Sequence, residues 1–156
     1  RIVAKVNRLT DLEIIDALYR ASHAGVQIDL IVRSSCMLRP GVPGLSETVR
    51  VRSIVGQFLE HSRIFCFANG GNDDVYIGSA DWMTRNLDRR VEVVTPILDA
   101  NLKRHLKDVV LGTYLKDNVK ARVLTADGSY ERVPVAPGEP AFNSQLHFEG
   151  SISLGA

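Results

Sequence analysis

The sequence predicts an α/β fold, an open sheet flanked by helices. Three observations carry that reading. The chain opens with an apolar run at 2–6, a helical apolar stripe at 12–21 and a second apolar run at 26–32. That strand-helix-strand order is the signature of a right-handed unit with parallel strands. The second run is apolar on both of its faces, which requires cover on both. With 156 residues, 45% hydrophobic and 24% charged, the chain also has interior enough for a real core.

In the first strand Ile2, Ala4 and Val6 share a face, Lys5 points the other way, and Asn7 lies just beyond. Thr10 or Asp11 starts the first helix, whose N-terminal half is loaded with Asp11, Glu13 and Asp16, as the helix dipole favours. Leu12, Ile15, Leu18 and Ala21 form its apolar stripe, with Ile14 beside it, and Gly25 ends it. The second strand closes on Arg33, followed by a Pro/Gly-containing loop. Arg50 and Arg52 alternate with Val49 and Val51 in a third strand or extended edge. The short apolar run 54–59 reads as helix. The runs 63–67 and 74–78 make a hairpin around the turn Asn69-Gly70-Gly71-Asn72. A strand over 91–96 follows. A helix then starts at Asp99, with Leu102, Leu106, Val109 or Val110, and Tyr114 inward. A last strand covers 119–124. Residues 1–125 read as the domain. Residues 126–156, broken by Pro134, Pro137, Gly138 and Pro140, read as a loosely ordered C-terminal extension.

Composition excludes several classes of function. The formal net charge of +1 gives no general attraction to nucleic acid or anionic membrane, so anion recognition must be local. Cys36 and Cys66 lie in no CxxC or zinc spacing and read as buried or half-buried thiols of a reducing compartment. No stretch resembles a signal peptide or a spanning helix, and the expectation is a cytoplasmic protein without nucleic-acid partners. The first residues are already strand-like and lack a starting Met, as in a piece of a longer polypeptide.

Between Lys5 and Lys103 there is no lysine, while arginine recurs from Arg8 to Arg90. Arginine's planar fork grips phosphate bidentately and keeps its charge when desolvated. A GC-rich genome would give the same bias without any function. Position is more telling. Arg33 lies at a strand end, Arg63 lies two residues after His61, and Arg85, Arg89 and Arg90 follow the run Gly78-Ser79-Ala80-Asp81. Ends of strands are where open α/β sheets put their sites. Of the four histidines, His23, His105 and His147 read as surface residues. His61 directly precedes a strand and shares a side with Arg63. An imidazole there can act as nucleophile or base toward phosphorus, or stabilise a leaving phosphate, with Arg63 supplying fixed charge. The plainer alternative is a hydrogen-bonded histidine at an element junction. Ser79 and Asp81 share a side after the second hairpin strand, Gly78 allows close approach of a ligand, and Arg85, Asn86 and Glu92 follow. Each has an ordinary structural explanation as turn residue, cap or ion-pair partner.

Taken in order, H-x-R, a strand, G-S-A-D, R-N and V-E-V resemble the phospholipase D superfamily, whose pattern has H-x-K, G-S-x-N and a downstream Glu. Arg63 stands where lysine is usual and Asp81 where asparagine is usual. The runs NRLTDLEIIDALYRASHAGVQIDLIVR, RSIVGQFLEHSRIFCFANGG, VYIGSADWMTRNLDRRVEVVTPI and VKARVL resemble the C-terminal domain of the bacterial type-1 polyphosphate kinases. The resemblance implies a phospholipase D-like mixed sheet flanked by helices, one half of a pseudo-dimeric pair. It implies a reaction that reversibly transfers the γ-phosphate of ATP to the end of a polyphosphate chain. His61 would be the second histidine of the pair, contacting nucleotide phosphate or the leaving oxygen. The phosphorylated histidine would belong to the preceding domain. Arg33 would match the ATP-binding arginine. Arg63, Ser79, Arg85 and Asn86 would bind ATP or polyphosphate. Mg2+ would be held mainly by residues outside this chain, with no metal ligand within it. Partners would be ATP or ADP, polyphosphate, the preceding domains and further copies in a homo-oligomer. The location would be cytoplasmic, with peripheral membrane association. Two alternatives stand beside this. One is half of another phospholipase D-like phosphodiesterase or nuclease, and the other is a non-catalytic polyanion-binding module.

Overall fold

Alternation along β1 (Ile2–Val6) sets up both layers of the interior. Ala4 and Val6 point to one face of the sheet and Val3 to the other, and each face is sealed by its own apolar cluster. The computed structural model describes residues 1–153. Its eight strands form one mixed sheet in the order β6-β5-β4-β1-β2-β3-β7-β8. β2 (Ile28–Val32) runs parallel to β1, with Ile2 opposite Ile28, and β3 (Val49–Ile54) runs parallel to β2. β4 (Ile64–Phe67), β5 (Asp74–Gly78) and β6 (Val94–Pro96) continue antiparallel beyond β1. β7 (Ala121–Leu124) and β8 (Tyr130–Arg132) continue antiparallel beyond β3. β3 is thus an interior strand, not an edge. β2 is buried along its whole length, which accounts for its double-faced apolar sequence.

On one face, α1 (Leu12–His23) lays Ile15 and Leu18 against Ala4, Leu30, Val51, Phe65 and Trp82. The Asp11 side chain caps this helix by accepting from the Ile14 N–H at 3.1 Å and also accepts from the Thr84 hydroxyl at 2.8 Å. Asp11 is therefore turned inward. The stripe runs Asp11, Ile15, Leu18, Ser22, and Leu12, one position out of phase, is 68% exposed. Gly25 follows the helix with φ +83°, a conformation that glycine adopts at no steric cost.

On the other face lies a continuous helical run made of α3 (Ala100–Arg104), a π-helical segment (His105–Leu111) and α4 (Gly112–Lys116). The π segment widens the turn and rotates the inward stripe. Leu111, Thr113 and Tyr114 are buried, and Leu106 and Val110 pack partly buried against the same cluster, while Leu102, expected inside, is exposed. α2 (Thr84–Asp88) is a single short turn after β5.

Two sequence expectations are corrected here. The run 54–59 is not helical. Ile54 ends β3, and residues 55–63 have no helix or strand. The tail is more ordered than its composition suggests. β8 pairs with β7, and α5 (Ser144–Ser153) packs Phe148 against Tyr114 with ring centroids 5.1 Å apart. Residues 154–156 of that extension lie outside the described residues. The hairpin turn is as expected. Asn69, Gly70 and Gly71 all take positive φ, which the Asn-Gly-Gly sequence tolerates.

Candidate functional site

Sheet topology brings the polar strand ends together. β1, β2 and β3 are parallel, so Asn7, Arg33 and Ser53 emerge at or next to one end of the sheet. β4 is antiparallel to β1, with Lys5 opposite Ile64, so its entry residues His61 and Arg63 come to that end. β5 leaves at the same end through Gly78 and Ser79, and β6 enters there after Glu92.

Two charged networks line this end. In the first, buried Lys5 places its ammonium 3.2 Å from Glu60, 2.9 Å from the Ser62 hydroxyl and 4.8 Å above the Tyr114 ring. Burial pushes this ammonium below its ordinary value, Glu60 opposes that, and the charges of Arg33 and Arg63 reinforce it. Arg33 donates from Nη1 to the Glu60 carbonyl at 2.7 Å. Its remaining guanidinium N–H donors have no partner among the described residues. The His61 imidazole is exposed and likewise has no hydrogen-bond partner among the described residues.

In the second, Arg63 grips Asp81 bidentately, Nε to Oδ1 at 3.3 Å and Nη2 to Oδ2 at 3.2 Å, and its Nη1 donates to the His61 carbonyl at 2.8 Å. Asp81 also accepts from the Asn7 backbone N–H at 2.7 Å. Burial alone would raise the Asp81 carboxyl, but the bonds from Arg63 and Asn7 and the Arg63 charge hold it below the usual range. Alongside, Ser79 donates to Glu92 and accepts from the Val93 N–H at 3.0 Å, and Asn86 donates to Glu92 at 2.5 Å. These bonds, from Ser79 first and Asn86 second, keep the Glu92 carboxyl below its ordinary value. A cleft of about 490 Å³ runs past Ser62, Arg63, Gly78 and Ser79.

The sequence-singled residues therefore divide. Arg33 and His61 present donors to solvent at the sheet end. Arg63 is half-buried, its charge countered by Asp81. Ser79 and Asn86 meet on Glu92, and the Asn86 side-chain carbonyl is buried without a partner among the described residues. Arg85, in the first turn of α2, is exposed, and its side chain joins neither network. Gly78 lines this cleft, and a Cβ there would lie 2.7 Å from the Val93 carbonyl, next to β6. Lys5, Glu60 and Asn7 were missed by motif reasoning. Lys5 was visible as a lone charge in an apolar strand, and Glu60 as the carboxylate adjoining His61. Among the described residues no group of three or more His, Cys, Asp or Glu side chains converges. No helix among them is long and apolar enough to cross a membrane. Neither cysteine is in a disulfide.

Residues 1–145 match the family described as polyphosphate kinase C-terminal domain 2. The chain belongs to that family. This polyphosphate kinase domain is 58% identical to the polyphosphate kinase of Thermosynechococcus vestitus over 139 residues, 89% of the chain and 19% of that protein. It is 55% identical to the polyphosphate kinase of Pseudomonas aeruginosa over 144 residues, 92% of the chain and 21% of that protein. It superposes on the crystal structure of polyphosphate kinase from Porphyromonas gingivalis with a TM-score of 0.91 at 42% identity, covering 97% of the domain and 23% of that structure. The mixed sheet with helices on both faces is the phospholipase D-like architecture expected from its motifs. The domain spans about a fifth of the length of these curated relatives.

Proposed function

We propose that this domain forms one wall of a phosphoryl-transfer site in a polyphosphate kinase, which reversibly moves the γ-phosphate of ATP onto the end of a polyphosphate chain. The observation that carries this is the juxtaposition of an exposed His61 imidazole with the half-buried Arg33 fork, which has unused donors, at the end of a sheet in this family's fold. Phosphoryl transfer asks the protein chiefly for positioning and for charge to stabilise the transferring group. Arg33 is suited to grip a nucleotide phosphate. His61 is suited to protonate or stabilise the leaving oxygen. Arg63, held by Asp81, fixes the backbone that carries the imidazole through its bond to the His61 carbonyl. Arg85 is an exposed cation suited to contact the polymer, and Ser79 and Asn86, which meet on Glu92, are the further candidates for contact with ATP or polyphosphate.

The phosphorylated histidine is supplied by the preceding domain, and Mg2+ is bound mainly by residues outside this chain. The complete enzyme is a cytoplasmic homo-oligomer with peripheral membrane association. The deciding experiment compares Arg33→Ala and His61→Ala with wild type in the complete polypeptide. ATP-dependent polyphosphate synthesis should fall by about two orders of magnitude in each, the scale of an acid/base or charge-stabilising group. Synthesis at the wild-type rate in both would leave a polyanion-binding module instead. The isolated domain, holding one half of the catalytic pair, should show no steady turnover.

A further inference from the structure

The loop that carries His61 has no strand or helix to hold it. Its backbone groups must still be paired where they are buried. One side chain from the far end of the chain does this. The Phe58 N–H donates to Gln145 Oε1 at 3.0 Å, and Gln145 Nε2 donates back to the Phe58 carbonyl at 2.9 Å. The amide thus pairs with Phe58 as a neighbouring strand would. The same Nε2 also donates to Glu60 Oε1 at 3.2 Å. Glu60 in turn meets Lys5, and its carbonyl holds Arg33.

Two further observations show that the contact is built in. Gln145 is buried, and a Cβ on residue 56 would lie 2.2 Å from its Oε1, so Gly56 is what leaves room for the amide. Gln145 is also anchored from behind. Asp117, itself buried, accepts from both the N–H and the hydroxyl of Ser144, at 2.8 and 2.7 Å. A continuous series of contacts runs from Asp117 through Ser144 and Gln145 to Phe58 and Glu60, one residue before His61.

We infer that Gln145 is a positioning residue for the His61 loop: it clamps Phe58 and Glu60 and so sets where His61 stands. This inference rests on the proposed function and deepens it. Gln145 itself touches no reacting atom. Its loss misplaces His61, and a displacement of about 1 Å is enough to cost about 100-fold in rate.

The test uses the complete polypeptide and steady-state ATP-dependent synthesis, with thermal unfolding measured on every variant. Gln145→Ala should lower kcat about 10- to 100-fold while KM for ATP moves less than about threefold. Gly56→Ala, which displaces the amide from the opposite side, should follow the same pattern. The double variant Gln145→Ala/His61→Ala should be no slower than His61→Ala alone, because both act on one step. Gln145→Glu keeps the acceptor for the Phe58 N–H but can donate to the Phe58 carbonyl only when protonated. Its activity relative to wild type should therefore rise as pH falls toward the carboxyl range, a dependence that a purely structural role would not produce. A Gln145→Ala enzyme within about twofold of wild-type kcat overturns the inference, as does a double variant whose loss is the product of the two single losses. If Gln145→Ala does not fold, a wild-type rate in Gly56→Ala together with a flat Gln145→Glu profile overturns it. Wild-type turnover by His61→Ala overturns the underlying reading of the site, whatever Gln145→Ala does.

Discussion

The Arg63 guanidinium and the Asp81 carboxylate meet through two contacts, at 3.3 and 3.2 Å, across 18 residues of sequence. Their side chains are 19% and 10% exposed, so the pair is largely out of water. Its effect is to tie the entry of β4 to the exit of β5 and to set the His61 backbone through Arg63 Nη1.

Asp81→Ala should destabilise the fold by about 3 kcal/mol, the scale for removing one member of a largely buried ion pair. Urea unfolding at pH 7 measures this. The Asp81 carboxyl is depressed in the folded state, so its stabilisation is complete above the ordinary value of 3.8 and is lost as pH falls through the lower folded value. The wild type should therefore show a steeper loss of stability below about pH 4 than Asp81→Asn, which carries no titrating group there. Parallel acid limbs in the two proteins would contradict this.

Lys5 and Glu60 form a second such pair, with Lys5 in the middle of the apolar sheet. Lys5→Met and Glu60→Gln should each cost about 2–4 kcal/mol, because each leaves a charge without its counterpart. The double variant should be more stable than the sum of the two losses implies, by about 1–3 kcal/mol. Additive losses in a denaturant cycle would mean that the two charges do not stabilise one another.

Asp117 is almost wholly buried and accepts five hydrogen bonds, from the N–H groups of Val119, Lys120 and Ala121 and from the N–H and hydroxyl of Ser144. Burial would raise its carboxyl, and these bonds, those from Ser144 foremost, hold it low. Asp117→Ala should cost about 2–4 kcal/mol and detach α5, which hydrogen exchange over 144–150 would register as faster amide exchange. Asp127, in an exposed turn, also has a carboxyl held low, at about 2, by bonds from Thr125 and Ser129. Asp127→Ala should leave exchange over 144–150 unchanged.

Gly78 lies against β6, where a side chain would meet the Val93 carbonyl and Val94. Gly78→Ala should destabilise by about 1–3 kcal/mol through overpacking and loosen the Ser79–Glu92 contact. A thermal midpoint within about 1 °C of wild type would show that β6 can move away freely.

Much of the fold was legible in local pattern. The β1-α1-β2 unit, the β4–β5 hairpin with its Asn-Gly-Gly turn, and the Val-Arg alternation of β3 all depend on neighbours a few residues apart. The misread elements depend on distant partners. Residues 54–59 are apolar enough for a helix, but the N–H and carbonyl of Phe58 are paired with Gln145, 87 positions later. The stripe of the second long helix was read at a regular pitch, and the π segment changed its phase. α5 gains its order from Asp117 and Tyr114, which composition alone does not reveal.

The site shows the same division. By itself the sequence determined the family, through long runs such as GSADWMTRNLDRRVEV, and it marked His61 and Arg33 as residues next to strand ends. Only the tertiary structure decided which charges keep open donors and which face each other. Arg33 and His61 keep open donor capacity, while Arg63, Ser79 and Asn86 are taken up by Asp81 and Glu92. The physical reason is that a charge's availability depends on its nearest counter-charge, and here those partners are brought together by strand pairing across tens of residues.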